Sequence, residues 1–550
     1  MANYSCCFHK LAIAIFTAIA FCANSVDAQI VEDATLPNNS SITQQDNIKI
    51  IEGGSQAGIN LFHSFEQFSV ATDTTAYFNN PVNIQNIITR ITGKSISNID
   101  GILRANGTAN LFLINPNGIV FGENAALDIG GSFLATTASS INFADGTKFS
   151  ATQPQTEPLL TVSVPLGLQF GSTAATIRNQ SQAPADDKTN ASREFVGLQV
   201  PTGKTLALVG GDVILEGGNL TVDSGRVELG SVGSNSLVSL NSIGEDWVLG
   251  YENVKNFQNI ELIQRITDDS FVISSVRVDN TIGAGNIQIQ GDLFQVIGFN
   301  VINLINQMDE GIVDVGNINI TARKLVIQDG GGITSNAFGS ISAPNIVVNA
   351  RESVEVIGGF NFNNFYVPSN LSSSTTSVGK SGNLTINTNR LLVKNGGTIS
   401  TNVAGEIQNF RFLEATGAAG NVIINASEVI EIVGTSAQGL RSSIGSEVFN
   451  SGDAGNVTIS TKQLIVRDGG EVSVSSALPR LPANININED ASNLGNAGEL
   501  NIIADNILLD NKGQIVSEAE SANGGNVNLQ LQDLLLMRRN SLISTNAGKA

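Results

Sequence analysis

The feature that most constrains the fold is a short repeat in the second half of the chain. The element G-N-(I/V/L)-x-(I/L) begins at residues 285, 316, 382, 420, 455 and 525, and degenerate copies begin at 344 and 498. The spacing varies from 27 residues (498 to 525) to 43 residues (455 to 498). A solenoid absorbs such variation in outward loops, whereas a β-sandwich or a propeller tolerates it less well.

A second element follows several of these copies. It reads KLVIQDGGGITS (324–335), LLVKNGGTISTN (391–402), QLIVRDGGEVSVSS (463–476) and ILLDNKGQIVSEA (507–519). Its alternating Ile, Val and Leu residues predict strands, and Asp/Asn-Gly-Gly predicts a corner that needs positive φ. Each unit therefore holds three short strands and a variable loop. We predict an all-β fold, a right-handed parallel β-helix (solenoid) throughout the mature chain, with asparagines stacked at its corners.

The N-terminus has the pattern of a secretory signal peptide. Lys10 precedes an apolar run from Leu11 to Ala23, and Val26-Asp27-Ala28 is a cleavage pattern of small residues. We predict cleavage between Ala28 and Gln29. The apolar run is shorter than the ~20 residues that cross a bilayer, which argues against a membrane anchor.

Cysteine content and charge restrict the partners further. All three cysteines lie within the first 28 residues, so the mature chain has none. This composition suits a chain that crosses a second membrane unfolded, although a large core that needs no disulfides explains it equally well. The net charge of −20 disfavours nucleic acid and anionic lipid as partners.

The first half of the chain lacks the G-N repeat but is rich in strand-like segments. In LFLINPNGIVFG (111–122), Asn115-Pro116-Asn117-Gly118 lies between two apolar runs. Proline presets φ, asparagine tolerates a left-handed conformation and glycine accepts positive φ, so we predict a tight turn between two strands.

Three ordered segments surround this turn: FNNPVNIQNIITRITG (78–93), SNIDGILRANGTANLFLINPNGIVFG (97–122) and ALDIGGSFLATTA (126–138). Together they resemble the N-terminal domain of filamentous haemagglutinin, also called the two-partner secretion domain. The resemblance extends over about Gln44 to Val232 and is marked by sequences typical of cyanobacterial members. The later repeats resemble the β-helix shaft of such exoproteins.

The resemblance implies a route of export. Members of the family cross the inner membrane by a signal peptide and then pass unfolded through an outer-membrane β-barrel of the TpsB type. The periplasmic domains of that transporter read the N-terminal domain as an address. The family motif falls here on Asn115, Pro116, Asn117, Gly118, Ile119, Arg90 and Gly93. Whether these residues contact the transporter or shape the domain stays open, with shape favoured.

The family also often carries a second motif of the NPNL type, for which Asn80-Pro81-Val82-Asn83 is the nearest counterpart. The implied function is that of a secreted, extracellular cell-surface exoprotein, an adhesin or haemagglutinin-like filament. Its implied partners are the transporter and an unknown surface receptor or glycan, and a β-helix monomer is the expected state.

Two other functions stay open: an extracellular β-helix enzyme that acts on polysaccharides, and a cytolysin or toxin carrier whose effector follows Ala550. An enzyme needs a groove of clustered acidic and basic residues, and here the carboxylates are scattered. GLQVPTGKT (197–205) lacks the P-loop glycine at position 198, and His63 is the only histidine of the mature chain. We read His63 as a structural residue at a strand edge, and we expect no enzyme activity, no cofactor and no metal.

We divide the chain into four regions. These are the signal peptide (1–28), the two-partner secretion domain (29–180), a continuing β-helix with an exposed loop (181–270) and a repetitive shaft (271–550). The exposed loop is expected at QSQAPADDKTNAS (180–192). The aromatic loop at 361–379 either contacts a ligand or covers a face of the solenoid. Because solenoid ends need caps and SLISTNAGKA has none, we expect the chain to continue past Ala550.

Overall fold

The computed structural model describes residues 29–154, 161–184, 195–243, 246–268, 270–310, 314–362, 365–404, 406–408, 411–413, 415–449, 451–477, 494–520 and 523–547. Within these residues the chain winds into successive coils, and each coil contributes strands to three stacked faces. Strands of neighbouring coils pair in parallel on all three faces. The prediction of an all-β parallel β-helix is confirmed.

Face 1 and face 2 begin as separate stacks of strands. Face 1 contains Asn60–Phe68, Asn86–Ile91, Asn110–Ile114, Phe133–Thr136, Thr205–Gly210, Arg226–Ser231 and Asn286–Gln290. Face 2 contains Ser97–Ile99, Ile119–Phe121, Ile177–Asn179, Val213–Glu216, Ile260–Ile263 and Leu293–Ile297.

In the shaft, faces 1 and 2 share long strands instead of the two short strands predicted for each unit. These strands are Asn317–Gln328, Asn345–Ile357, Leu384–Lys394, Val422–Val433, Val457–Arg467, Leu500–Asp510 and Val527–Arg538. The extended backbone continues through the bend between the faces. A shift of register takes up the bend in most of them, for example between Thr388 and Arg390.

Face 3 completes each coil. It contains Ile48–Gly53, Thr75–Phe78, Ile102–Ala105, Ala126–Asp128, Leu198–Gln199, Asn219–Asp223, Ser275–Asn280, Val301–Asn306, Gly332–Ala337, Asn370–Thr375, Thr398–Val403, Ser443–Val448, Glu471–Ser476, Gln514–Ala519 and Leu542–Asn546. Three further strands, Ile30–Glu32, Ser40–Gln45 and Ser55–Ala57, pair antiparallel with the first coil. Three hairpins leave the solenoid at Arg265–Ile266/Phe271–Val272, Gly359–Phe362/Phe365–Pro368 and Glu406–Gln408/Arg411–Leu413.

An antiparallel sheet lies over the early part of face 1, and we call it the cover sheet. Its strands are Ser140–Phe143, Lys148–Ser150, Pro165–Gln169, Leu237–Ile243 and Asp246–Gly250. The early strands of face 1 are apolar on both sides: Leu111 faces the interior of the solenoid, whereas Phe112 packs in a second core beneath the cover sheet. Burial on both sides explains why these strands read as continuous apolar runs.

The corners of the shaft have the geometry that the repeat predicts. At the Asp/Asn-Gly-Gly corners, Asp329 and Gly330 have φ values of 55° and 89°, and Asp468 and Gly469 have values of 57° and 86°. At most of the G-N corners, the amide oxygen of the asparagine accepts a backbone N–H of the coil that follows. Asn383 N donates to Asn345 Oδ1 and Asn421 N to Asn383 Oδ1, both at 2.9 Å.

The glycine of the G-N element is required by the close approach of neighbouring coils. A Cβ atom at Gly420 would lie 2.2 Å from the carbonyl oxygen of Gly382, and one at Gly455 would lie 1.9 Å from that of Gly420. No side chain fits at such distances. Stacked backbone therefore favours glycine at this position, although one coil has Pro344 there.

Two loops were expected to lie outside the solenoid. Residues 185–192 of the polar stretch lie outside the described residues, and Ser181 and Ala183 before them are buried. In the aromatic segment 361–379, Asn370–Thr375 is a strand of face 3 and not part of a loop, and the hydroxyl of Tyr366 donates to the carbonyl oxygen of Asn395 at 3.0 Å. Directly before this segment, the ring of Phe360 packs 4.7 Å from that of Phe299 and 5.8 Å from that of Phe271. These contacts favour the alternative in which the aromatic loop covers the side of the solenoid.

Candidate functional site

The Asn-Pro-Asn-Gly segment forms a turn between a face 1 strand and a face 2 strand of the same coil. Gly118 N donates to the carbonyl oxygen of Asn115 at 3.1 Å and so closes the turn. Gly118 has a φ of 125°, the only positive φ of the four. Asn117 therefore does not use the left-handed conformation that its residue type tolerates.

The side chain of Asn115 points into the protein and is fully buried. Its Nδ2 donates to the carbonyl oxygen of Ser95 at 3.0 Å and to Ser97 Oγ at 2.9 Å. Its Oδ1 accepts both the backbone N–H and the Nδ2 group of Asn117, at 3.0 and 2.9 Å. All four hydrogen-bonding positions of this amide are thus used inside the domain.

Asn117 connects the turn to Gly93 of the preceding coil. Its Nδ2 donates to the carbonyl oxygen of Gly93 at 2.8 Å. A Cβ atom at Gly93 would lie 2.0 Å from the carbonyl oxygen of Glu66, one coil further back. Ile119 is buried and pairs with Ser97 on face 2. The turn, Gly93 and Ile119 therefore fix three successive coils in register.

Arg90 lies apart from the turn and is buried, with 1% of its surface exposed. Its Nε donates to Ser64 Oγ and its Nη1 to the carbonyl oxygen of Ser150, both at 2.9 Å, and Nη2 donates to Thr35 Oγ1 at 2.8 Å. The guanidinium carbon lies 4.3 Å from the ring centre of Phe149. Arg90 therefore joins face 1, the N-terminal segment and the cover sheet.

The charge of Arg90 is balanced through the N-terminal segment. Burial lowers the pKa of Arg90 to about 10, and the charge of Asp33 opposes this shift. Asp33 Oδ2 accepts from Ser64 Oγ at 2.7 Å and from Thr92 Oγ1 at 2.5 Å. Arg90 stays cationic at neutral pH, and its role is to hold the segment that starts the solenoid.

Two surface depressions flank these residues. One, of about 520 Å³, is lined by Arg90, Pro116, Lys148 and Gln169, among others. The other, of about 690 Å³, is lined by Asp33, Glu66, Gln67, Thr92, Gly93, Lys94 and Ser95. Ile96, which is 47% exposed, lies beside Gly118. A partner that approaches the turn therefore meets Pro116, Ile96 and the rims of these depressions, and not the amide of Asn115.

The second Asn-Pro segment forms a similar anchored corner on face 3. Asn80 is buried, and its Oδ1 accepts the backbone N–H of Asn106 at 2.9 Å. Asn106 Nδ2 donates back to the carbonyl oxygen of Asn80 at 3.0 Å. Val82, the third residue of this segment, is 78% exposed.

The edge strand of the cover sheet, Asp246–Gly250, is held by side chains of three successive face 1 strands. Thr205 Oγ1 accepts the N–H of Trp247 at 3.0 Å, and Gln288 Nε2 donates to the carbonyl oxygen of Leu249 at 2.9 Å. Between them, the buried carboxyl group of Glu228 lies against the N–H of Leu249, and its Oε2 has no hydrogen-bond partner among the described residues. The backbone of this edge strand is thereby satisfied without another strand.

Glu228 is fully buried in this contact. Burial raises its pKa to about 8, although the charge of Arg226, whose Nη1 lies 3.1 Å from Glu228 Oε1, acts in the opposite direction. The Glu228–Arg226 contact is therefore mainly a hydrogen bond to a protonated carboxyl group at neutral pH.

His63 is structural, as expected, but it is not at an exposed edge. It is 1% exposed, its Nδ1 lies 2.9 Å from Ser40 Oγ, and burial lowers its pKa to about 3. Among the described residues, no three His, Cys, Asp or Glu side chains meet in a way that could hold a metal ion. The same part of the chain contains no helix of the length and apolar character needed to cross a membrane.

The sequence did not identify the partners of the predicted residues. Thr35, Ser64 and Ser150 bind Arg90, and Ser95 and Ser97 bind Asn115. Ser150 lies 60 residues from Arg90 in the chain. Single serines and threonines carry no pattern in the sequence, so only the stacking of the coils reveals these contacts. The signal cleavage residue Ala28 lies outside the described residues, and Gln29 is the first of them.

Comparison with known proteins identifies the class of this domain. Residues 28–289 match the family model of the TPS secretion domain, the domain of two-partner secretion. This part of the chain is a two-partner secretion domain, which implies a two-partner secreted exoprotein, and proteins of this family are secreted across the outer membrane.

Among solved structures, the HMW1 secretion domain from Haemophilus influenzae is similar, with 17% sequence identity and a TM-score of 0.40. The alignment covers 94% of this chain and 99% of the HMW1 chain. No curated protein matches the sequence.

Proposed function

We propose that this protein is a cell-surface exoprotein of the adhesin or haemagglutinin-like type, exported through a TpsB-type outer-membrane β-barrel that reads its N-terminal domain as an address. The observation that carries the proposal is the match of residues 28–289 to the TPS secretion domain. The cysteine-free mature chain supports it, because no disulfide has to form or open during passage.

The motif residues act by shaping the domain. Asn115, Gly118 and Arg90 are buried, and their polar atoms bind other parts of the same domain. A transporter cannot hydrogen-bond to an amide whose four positions are already used. It reads the surface that the turn supports, where Pro116 and the exposed Ile96 lie.

The shaft suits a protein that works at a distance from the cell. Each coil bonds mainly to its neighbours, so folding propagates coil by coil once the chain has emerged. The monomeric solenoid then presents its loops and outer faces to a surface receptor or glycan.

Export of the full chain in cells that carry a TpsB-type transporter tests the address. Asn115→Ala leaves Ser95 and Ser97 without their partner, and we expect it to reduce the amount of protein in the medium at least tenfold. Asn425→Ala is the control for the loss of an asparagine side chain, because it removes an exposed amide contact, to Asn387 at 2.9 Å, from the shaft.

A second variant separates shape from contact. Ile96→Glu changes an exposed side chain beside the turn, so the thermal melting temperature should stay within a few degrees while export falls. Export of the Asn115→Ala chain at the wild-type level, or export without any transporter, would contradict the proposed address.

A further inference from the structure

A groove of about 400 Å³ lies along the bend between faces 1 and 2 in the shaft. Three successive coils form it through Thr321–Arg323, Asn349–Arg351 and Asn387–Asn389. Gln290 pairs with Thr321, so Gln290 marks the end nearer the N-terminus, and Phe257 lines the same groove. None of these residues belongs to the secretion motif.

Amide groups line the groove at the spacing of the coils, roughly 4.8 Å. Asn387 Nδ2 donates to Asn349 Oδ1 at 2.9 Å, which fixes the orientation of both amides. Thr321 and Asn349 are exposed and Gln290 is half-buried, and no hydrogen bond joins the Nδ2 group of Asn349, the hydroxyl of Thr321 or the amide of Gln290 to another described residue. The groove therefore presents fixed donors and acceptors that a ligand with many hydroxyl groups would satisfy.

The groove is electrically balanced. Arg323 binds Asp292 through Nε, at 3.1 and 3.0 Å from the two carboxylate oxygens, and also pairs with Glu352. Arg351 Nη2 lies 3.2 Å from Asp292 Oδ1. Two cations thus face two carboxylates on a protein whose net charge is −20. An anionic ligand is repelled by the whole molecule, and a cationic ligand finds no free carboxylate here.

We infer that this groove binds a short neutral oligosaccharide. Its hydroxyl groups both donate and accept hydrogen bonds at regular intervals, which matches the amides repeated from coil to coil. The apolar face of one sugar ring packs on the half-buried ring of Phe257. The inference rests on the surface-binding part of the proposed function and does not depend on export.

Isothermal titration of the purified full chain tests the inference. The probes are neutral hexasaccharides of glucose and of N-acetylglucosamine, together with a uronic acid hexasaccharide of the same length. We expect saturable binding of at least one neutral probe, and binding at least tenfold weaker for the anionic one. The absence of saturable binding to both neutral probes, or equal binding of the anionic probe, would overturn the inference and leave the secretion proposal untouched.

Variants assign the binding to the groove. Asn349→Ala and Phe257→Ala should each weaken binding at least tenfold. Asn528→Ala is the matched control, because Asn528 Nδ2 makes the same contact, to Asn501 Oδ1 at 2.8 Å, far from the groove. Thr321→Val keeps the shape of the side chain, so it still tests the groove if another variant does not fold. Wild-type affinity in the groove variants would refute the assignment.

Discussion

The buried carboxyl group of Glu228 gives the cover sheet a stability that depends on pH. Glu228 lies against the N–H of Leu249 in the edge strand, and its pKa is raised from 4.5 to about 8 by burial. Between these two pH values the unfolded chain releases the proton and the folded chain keeps it. The free energy of unfolding therefore falls as the pH rises from about 4.5 to about 8, and is level beyond that.

The size of the effect follows from the shift. Each pKa unit corresponds to about 1.4 kcal/mol, so attachment of the cover sheet should weaken by up to about 5 kcal/mol between acid and alkaline pH. Glu228→Gln is neutral at every pH and still offers an oxygen to Leu249. At pH 9 the variant should be more stable than the wild type, and at pH 4.5 the two should be nearly equal.

The single tryptophan of the chain makes the measurement direct. Trp247 lies in the same edge strand, and its ring packs edge-to-face on Phe112 at 5.5 Å between ring centres. Urea unfolding followed by tryptophan fluorescence therefore reports detachment of the cover sheet. The exposed Glu252, two residues beyond the strand, provides the control variant Glu252→Gln. If the wild type and Glu228→Gln lose the same stability between pH 5 and pH 9, the carboxyl group titrates normally and the reasoning is wrong.

Two further predictions concern the coils. Gly420→Ala places a methyl group against a backbone carbonyl of the coil before and should destabilise the shaft by about 2 kcal/mol or more, seen as faster limited proteolysis. Gly332→Ala, whose nearest neighbour would be a side-chain amide at 3.4 Å, should resist proteolysis as the wild type does, and equal sensitivity of both variants would contradict the role of stacked backbone. Arg90→Lys keeps the charge but loses the planar fork, so hydrogen exchange in Ile30–Glu32 should be faster by a factor that corresponds to about 2–4 kcal/mol. The control variant Arg104→Lys should leave the hydrogen exchange of Ile30–Glu32 unchanged. Unchanged exchange in Arg90→Lys as well would show that the guanidinium fork of Arg90 has no structural role.

The shaft could be predicted from the sequence because its physics is local and repeated. The positive φ of Asp329 and Gly330 and the stacked amides of Asn383 and Asn421 both follow from residues that recur in register. The merging of two strands into one, as in Val457–Arg467, did not follow. Because the backbone stays extended through the bend, no Gly or Pro marks the bend. The sequence therefore predicts two strands where the structure has one.

The candidate site was predictable only in part. The turn at Asn115–Gly118 follows from residue types, but the inward direction of the Asn115 side chain depends on Ser95 and Ser97 in a neighbouring coil. The cover sheet was not predicted at all. Its strands look like those of the solenoid, and only the double-sided apolar pattern of residues such as Leu111 and Phe112 indicated that something lies over face 1.

The position of the cover sheet in the chain has a consequence for any folding that starts at the N-terminus. Phe62 and Phe112 precede the cover sheet in the chain, and the strands that shelter them end only at Gly250. Until the cover sheet has folded, the apolar outer side of face 1 is exposed to water, although several coils have already formed. The first stage of folding is therefore an aggregation-prone intermediate with exposed apolar surface. Its lifetime depends on how fast the next hundred or so residues fold onto face 1.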